Sequence, residues 1–224
     1  MASAATTPWT GSSTPELHFA VQGASSVKFA AVPTIAFALR VEAPSGEPVR
    51  SLLLEVQIQI VARQRTYGEE EQERMLDLFG TPDRWPTTLR TLPWTRATIA
   101  VPGFDGSTVI ELPVACSYDL EVTASRYLAA LEDGEVPLEL LLSGTVFYAG
   151  PNGALQAARI AWDHELSYRM PVAVWRETME RHFPDSAWLR LGRRAFDRLW
   201  AFRSRHAFES WDAALDALFE RAEQ

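Results

Sequence analysis

The sequence has one cysteine, Cys116, and one lysine, Lys28, among its 224 residues. A single thiol cannot form an internal disulfide. The four histidines are dispersed, with no cysteine cluster and no H-x-x-x-H spacing, so they offer no ligand set for zinc or nickel. No apolar run approaches the roughly 20 residues that cross a bilayer, and residues 1–16 lack the basic and apolar regions of a signal peptide. We expect a cytoplasmic protein that has no membrane span and binds no metal or other cofactor.

The 29 acidic residues outnumber the 21 basic ones, so the net charge is −8 at pH 7. Proteins that bind nucleic acids usually carry a basic footprint, so this class is not expected. The sequence contains no G-x-S-x-G, Walker or G-x-G-x-x-G motif. Asp163, His164 and Glu165 are adjacent, but strand alternation would place His164 on the face opposite to the two carboxylates. We therefore predict no catalytic residue.

Alternation of apolar and polar residues dominates the first two thirds of the chain. Thr34–Glu42 places Ile35, Phe37 and Leu39 on one face, as expected of a strand that is buried on one side. Turn residues separate such runs, which is typical of antiparallel sheets. The predicted strands outside the central stretch cover residues 17–22, 27–32, 34–42, 51–64, 95–101 and 155–169.

Two long alternating runs lie in residues 114–148. We predict that they form a central hairpin, with a helical turn at residues 126–131 between its strands. Cys116 lies on the apolar face of the first strand and should be buried and unreactive. Gly144 interrupts the second strand, which indicates a bulge or a close backbone approach.

The periodicity changes between the early and late strands. Residues 69–79 predict a short helix, because acidic residues occupy its first turn and Gly80 follows it; its buried side should comprise Met75, Leu76 and Phe79. The prolines at positions 82, 86 and 93 exclude regular structure in the next segment. We expect an irregular excursion that is held in place by Trp85 and Trp94.

From Pro171 onward the periodicity is helical. Three helices are predicted, starting near Pro171, near Asp185 or Ser186, and after Ser210. Their wide apolar stripes must pack on the sandwich or on another chain. The predicted fold is thus an antiparallel β-sandwich of seven to nine strands followed by a C-terminal three-helix segment. Residues 1–15 form a disordered tail, 16–170 the sandwich with a helical, proline-rich insertion at 66–94, and 171–224 the helical segment.

Charge is unevenly distributed in the C-terminal part of the chain. Residues 159–205 contain ten arginines and six carboxylates, whereas residues 209–224 contain five carboxylates and one arginine. These charges can lie on solvent-exposed faces of two helices and partly neutralise each other. Alternatively, arginines near tryptophans form a surface for a partner protein, because both residue types concentrate in interface hot spots. The candidate arginines are Arg190, Arg194, Arg198 and Arg203.

Several stretches resemble those of a known family, most clearly LFGTPDRWPTTLRTLPWT, Cys116 to Leu120 and Leu131 to Tyr148. From about Leu17 onward the chain is similar to an uncharacterised, mainly actinobacterial family. Genes of that family often accompany those of nickel–iron uptake hydrogenases and their maturation factors, which implies an accessory role. Phe29 to Ala62 and the trailing helices are also similar to an export chaperone family that binds unfolded chains on an antiparallel sheet.

We therefore expect a non-enzymatic accessory or assembly protein. The resemblance implies hydrogenase subunits or maturation factors as its partners, and a homo-oligomer is also compatible with the apolar helices. The alternative is a small-ligand or carbohydrate-binding sandwich in which Trp85 and Trp94 form a stacking platform. The third possibility is a chaperone-like binder of unfolded chains or a hydrolase without a recognisable motif.

Overall fold

The computed structural model contains two antiparallel sheets that pack face to face. The apolar residues of their alternating strands form the inner faces. The structure describes residues 14–44, 48–117, 119, 122–150, 153–161, 164–186 and 190–223. Two compact units are present, Met1–Ala187 and Trp188–Gln224. The mainly β fold with a C-terminal helical segment is confirmed, while the first unit ends later than residue 170.

The strands are β1 (His18–Ser26), β2 (Thr34–Glu42), β3 (Val49–Ile60), β4 (Leu92–Phe104), β5 (Ser107–Ala115), β6 (Glu135–Ala149), β7 (Leu155–Arg159) and β8 (His164–Pro171). The smaller sheet contains three strands in the order β1-β2-β5. The larger sheet has the order β4-β3-β6, and β7 and β8 pair with different halves of the remaining edge of β6. All of these pairs are antiparallel; short connections join β1 to β2 and β6 to β7, whereas the pairs β2–β5 and β3–β6 bring together distant parts of the chain.

The core lies between the sheets, where the inner side chains of β2, β3 and β6 are almost fully buried. Phe37 of β2 contacts Trp94 of β4 and Tyr168 of β8 edge to face, with ring centroids 6.1 Å apart in both pairs. Aromatic rings in this arrangement contribute beyond their buried area. Phe37 therefore joins the smaller sheet to two strands of the larger one.

Two predicted strands are wrong. Residues 27–32 form the turn between β1 and β2, which the hydrogen bond from Val27 N to Thr34 O closes. The first strand of the central hairpin ends at Ala115, and helix α4 (Thr123–Ala130) follows. The second strand of that hairpin is confirmed as β6, but it pairs with β3. The predicted strand positions of Tyr118 and Leu120 lie outside the described residues.

The predicted strand over residues 155–169 is divided into β7 and β8. In β8, His164 lies edge-on to Phe19 of β1, with 5.2 Å between ring centroids, whereas Glu165 is exposed. The two residues therefore face opposite ways, as predicted. Asp163 lies outside the described residues.

The helix predicted over residues 69–79 is interrupted at Met75, giving α1 (Glu69–Arg74) and α2 (Leu76–Phe79). Met75 and Phe79 are buried as predicted, but Leu76 is 46% exposed. The next segment is more regular than predicted. Proline is tolerated in the first turn of α3 (Trp85–Thr88) and at the start of β4.

Three further helices are present. Helix α5 (Val172–His182) packs on the sandwich through Val172, Trp175 and Met179. Helix α6 (Arg193–Arg205) and helix α7 (Trp211–Ala222) form the second unit. Helix α6 begins later than predicted, whereas the third helix begins after Ser210 as predicted. Ser210 caps it, since its Oγ accepts a hydrogen bond from Ala213 N.

Candidate protein-binding surface

Helices α6 and α7 pack through an aromatic cluster in the second unit. Trp211, in the first turn of α7, contacts Phe196 and Trp200 of α6, with ring centroids 5.9 and 5.7 Å apart. Helical periodicity places Phe196 and Trp200 on one side of α6, four residues apart. Ala214 is the one residue of the described part of this unit that is fully buried. Most large apolar side chains of the helix pair are therefore only half-buried.

Two large side chains of this unit are mainly exposed. Trp200 is 54% exposed and Phe219 is 61% exposed. A groove of about 460 Å³ between the helices has an apolar floor that includes Leu199, Phe202 and Leu218, and Arg198 and Arg205 line it as well. Exposed aromatic side chains beside arginines are typical of interface centres.

Arg203 lies apart from the other candidate arginines. Its guanidinium stacks on the Trp211 ring at 4.6 Å, and its Nε and Nη2 donate to the carbonyl oxygens of Phe208 and Glu209. These contacts tie the α6–α7 loop to α6. Arg203 therefore stabilises the helix pair, and we do not include it in the proposed surface.

The other three candidate arginines, Arg190, Arg194 and Arg198, are exposed. Arg194 and Arg198 are four residues apart and lie on the same face of α6, because that spacing is close to one helical turn. Arg205, which the sequence analysis did not select, continues this face after two further turns. No ion pair involves these four side chains within the described residues.

The structure places Trp85 and Trp94 against different aromatic groups. Trp85 contacts Tyr67 and Phe79 edge to face, and its Nε1 donates to Gly80 O at 2.9 Å. Trp94 contacts Phe37 across the sandwich. Both indoles are half-buried. Each therefore has a packing role, and neither lines any of the four depressions described in this section.

Three depressions lie in the part of the first unit that the structure describes. An apolar groove of about 480 Å³ lies between α4 and α5, with Leu128, Trp175, Met179 and Phe183 in its wall. A second, of about 620 Å³, lies on the outer face of the larger sheet beside Gly144. The third is polar, with a volume of about 600 Å³, and is lined by Arg63, Arg169, Glu135 and neighbouring residues.

A carboxyl pair lies on the outer face of the larger sheet, between β6 and β8. A hydrogen bond with Glu165 raises the pKa of Glu139, and partial burial and the charge of Glu165 act in the same direction. Arg63 nearby partly opposes this pKa shift. Neither carboxylate belongs to the lining residues of the polar depression. The pair therefore provides no evident catalytic arrangement.

Cys116 is buried, as predicted, and burial raises the pKa of its thiol to about 12. A thiol with so high a pKa is a poor nucleophile at neutral pH. Across the described part of the chain, no three His, Cys, Asp or Glu side chains converge in a way that could hold a metal ion. Nor is any helix in the same residues long and apolar enough to cross a membrane.

The fold defines an antiparallel β-sandwich protein with an additional unit of two helices. The model described as "Family of unknown function (DUF6084)" matches residues 14–224, so the chain belongs to this family. No curated protein matches the sequence. A crystal structure of a selenomethionine-labelled β-glucosidase from Kluyveromyces marxianus is similar over 70% of this chain, with 10% identity and a TM-score of 0.24. The similar region covers 15% of the β-glucosidase chain, and such a low TM-score carries no argument.

Proposed function

We propose that this protein is a non-enzymatic accessory protein that acts by binding another polypeptide through its second unit. The supporting observation is the set of exposed arginines in and just before α6; the exposed side chain of Trp200 lies on another face of the same helix. Arg190, Arg194 and Arg198 have no ion pair among the described residues. A partner with acidic side chains would therefore gain charge-assisted contacts without first breaking internal ones.

The resemblance noted from the sequence suggests the setting of this function. Its implied partners are subunits or maturation factors of a nickel–iron hydrogenase. The absence of a histidine-rich tract and of a C-x-x-C pair in the sequence favours an assembly role over metal delivery. The proposal therefore concerns contacts between polypeptides rather than transfer of nickel.

The ligand-binding alternative has less support. A stacking platform requires an open aromatic face, whereas Trp85 and Trp94 contact rings on different elements. An enzymatic role would require convergent polar groups in a cleft. The most polar depression contains Arg63 and Arg169 beside Asp133 and Glu135, but nothing in its geometry favours a particular reaction.

Affinity capture of the full-length protein from its native host tests the proposal. The wild-type protein should retain hydrogenase subunits or maturation factors, identified by mass spectrometry. A variant with Arg190→Glu, Arg194→Glu and Arg198→Glu should retain at least about tenfold less, because reversed charges repel an acidic partner. Arg50→Glu, Arg90→Glu and Arg159→Glu form the matched control, since these arginines are exposed on the first unit and have no ion pair among the described residues.

Other outcomes decide between the alternatives. Equal retention by both triple variants would contradict a role for α6. Capture of a broad set of unfolded proteins, independent of the arginines, would support the chaperone-like alternative. Recovery of the protein alone would count against an accessory function.

A further inference from the structure

A stripe of positive charge runs along α6. Arg194, Arg198 and Arg205 are separated by four and then seven residues, and Ala201 lies between the second and third arginines. This spacing places all four side chains on one face of an α-helix. All four residues are exposed.

Helix α7 and its C-terminal cap carry a negative stripe with the same spacing. Asp212, Asp216 and Glu223 are also separated by four and then seven residues, and Phe219 occupies the position that corresponds to Ala201. The three carboxylates are exposed, as is most of the Phe219 side chain. The two stripes are therefore equal in spacing and opposite in charge, with a small residue in one where the other has a large one.

These charges are not used within the second unit. Among its described residues, the ion pair between Arg193 and Asp197 lies within α6, and none joins α6 to α7. The two helices are held together by ring contacts and by Arg203. Both stripes consequently remain available to another molecule.

The second unit is also too small to bury a core of its own. It contains fewer than about 40 residues, a size at which domains usually need a disulfide, a metal or oligomerisation. The single cysteine lies in the first unit, and no metal-binding cluster occurs among the described residues. Oligomerisation is the third means that units of this size use.

We propose that this partner is a second copy of the same chain, with the α6 stripe of one protomer against the α7 stripe of the other. This inference goes beyond the proposed function, because it assigns Arg194 and Arg198 to self-association, and the two proposals are tested separately. Two-fold symmetry makes the contact twice, as in any isologous dimer. When the paired helices run in the same direction, each arginine meets a carboxylate and Phe219 lies against Ala201.

A second copy fits these observations better than an unrelated acidic protein. An acidic partner would neutralise α6 and leave the exposed carboxylates and Phe219 of α7 without a complement. A second copy satisfies both helices with one interface, because each protomer supplies both signs of charge. Exposed ion pairs are individually weak, so the dimer should be reversible and sensitive to salt.

Sedimentation velocity of the purified full-length protein tests for the dimer. The sedimentation coefficient should rise from that of a monomer towards that of a dimer between about 1 and 100 μM, by mass action. Raising the salt concentration from about 0.05 M to about 0.5 M shortens the Debye length and should weaken the dimer at least about tenfold.

Charge reversal gives the sharper test. Variant one carries Arg194→Glu and Arg198→Glu, so that carboxylates predominate in the stripes of both of its helices. Variant two carries Asp212→Arg and Asp216→Arg, so both become basic. Each variant alone should be monomeric, because like charges then face each other across the interface. An equimolar mixture should form a heterodimer, because every pair of stripes is again opposite in sign.

The control carries Arg50→Glu and Arg90→Glu, two exposed arginines of the first unit, and should dimerise like the wild type. The inference is overturned if the wild-type protein stays monomeric over the whole concentration range. It is also overturned if either charge-reversed variant still dimerises, or if the mixture does not associate.

Failure of this inference is distinguishable from failure of the proposed function. Sedimentation uses the purified protein alone, whereas capture from the host detects other polypeptides. A monomeric protein that retains hydrogenase proteins through Arg190, Arg194 and Arg198 would refute the dimer and support the function. A dimer that retains no other protein would support the dimer and count against the proposed function.

Discussion

Arg65 and Glu71 form a buried ion pair in which Arg65 Nη2 lies 2.5 Å from Glu71 Oε1. The side chains are 9% and 5% exposed. Glu71 Oε1 also accepts a hydrogen bond from Glu132 N, and Arg65 Nη1 donates to Glu135 O. The pair therefore joins the start of the insertion to the segment that leads into β6.

The first prediction concerns this ion pair. Glu71→Gln leaves the Arg65 guanidinium buried without a counter-charge, which should lower the free energy of unfolding by about 3 kcal/mol. Urea unfolding followed by circular dichroism measures this change. Glu70→Gln on the same helix is the matched control, because Glu70 forms an exposed pair with Arg74, and should cost less than about 1 kcal/mol.

A double variant distinguishes the loss of the ion pair from the cost of leaving one buried charge unpaired. Arg65→Met with Glu71→Met removes both buried charges, so it should destabilise less than Glu71→Gln alone. A larger loss in the double variant would contradict this account.

The second prediction concerns the tyrosines beside this pair. Tyr67 Oη lies 2.5 Å from Ala62 O and 2.8 Å from Tyr127 Oη. Tyr67 donates its only proton to the carbonyl, so Tyr127 donates to Tyr67. Burial raises the pKa of Tyr127 to about 12 and raises the pKa of Tyr67 still further.

Because both folded-state pKa values exceed the unfolded value of 10.0, the stability that these two tyrosines contribute should be present below pH 10 and be lost as the pH rises towards 12. Each tyrosine should reduce the free energy of unfolding by about 1.4 kcal/mol per pH unit in that window. Thermal unfolding between pH 8 and pH 11 measures the decrease. The double variant Tyr67→Phe and Tyr127→Phe should make the alkaline decrease less steep, while Cys116 and Tyr168, whose pKa values burial also raises, account for the remainder. Parallel profiles would refute the assignment.

The third prediction concerns Gly144 in β6. A Cβ atom at this position would lie 2.1 Å from the backbone oxygen of Leu53 in β3, and φ is +156°. Gly144→Ala should therefore cost at least about 3 kcal/mol, because the paired strands must move apart. Urea unfolding, or the soluble fraction if folding fails, gives the readout. Gly23→Ala is the control, since a Cβ there meets nothing within 4 Å, and an equal loss in both variants would contradict the prediction.

The fourth prediction uses the single cysteine as a probe. Cys116 is 7% exposed and its thiol has a raised pKa of about 12. A disulfide reagent at pH 8 should label the native protein at least about 10³-fold more slowly than the urea-unfolded protein, because labelling requires opening of the sandwich. Complete labelling in urea is the internal control, and prompt labelling of the native protein would show that Cys116 is accessible.

Strands with one buried face could be predicted from the sequence. Thr34–Glu42 is confirmed with its predicted bounds, and the close backbone approach at Gly144 is confirmed as well. Both follow from local properties, namely period-two alternation and the missing side chain of glycine. The pairing of β6 with β3 could not be predicted, because the alternation of apolar and polar residues in β6 would be the same beside any neighbouring strand.

The segment after Ala115 shows where alternation misleads. Its apolar residues also fit a helix, since Ala124, Tyr127 and Leu128 are buried on one side of α4. The ring contacts of Tyr127 with Tyr67 and Phe79 stabilise this segment as a helix rather than as a strand. Those two residues lie in the insertion, far away in the sequence, so no local pattern contains the information.

The candidate surface was only partly predictable. Exposed arginines on α6 follow from composition and helical spacing, and Arg194 and Arg198 lie where the pattern suggests. The engagement of Arg203 depends on the carbonyl oxygens of Phe208 and Glu209 in the following loop. That loop geometry is set by packing, so the sequence could not separate Arg203 from its neighbours.

The position of β3 between β4 and β6 affects how the chain can fold during synthesis. Strand β3 pairs with β4 soon after both emerge from the ribosome, but its other edge stays unpaired until β6 is made. Strand β2 likewise waits for β5. A nascent chain that ends before Glu135 therefore presents an open, apolar strand edge, and such edges pair readily with other chains. Cotranslational aggregation is thus a hazard that ends only when β6 enters the sheet.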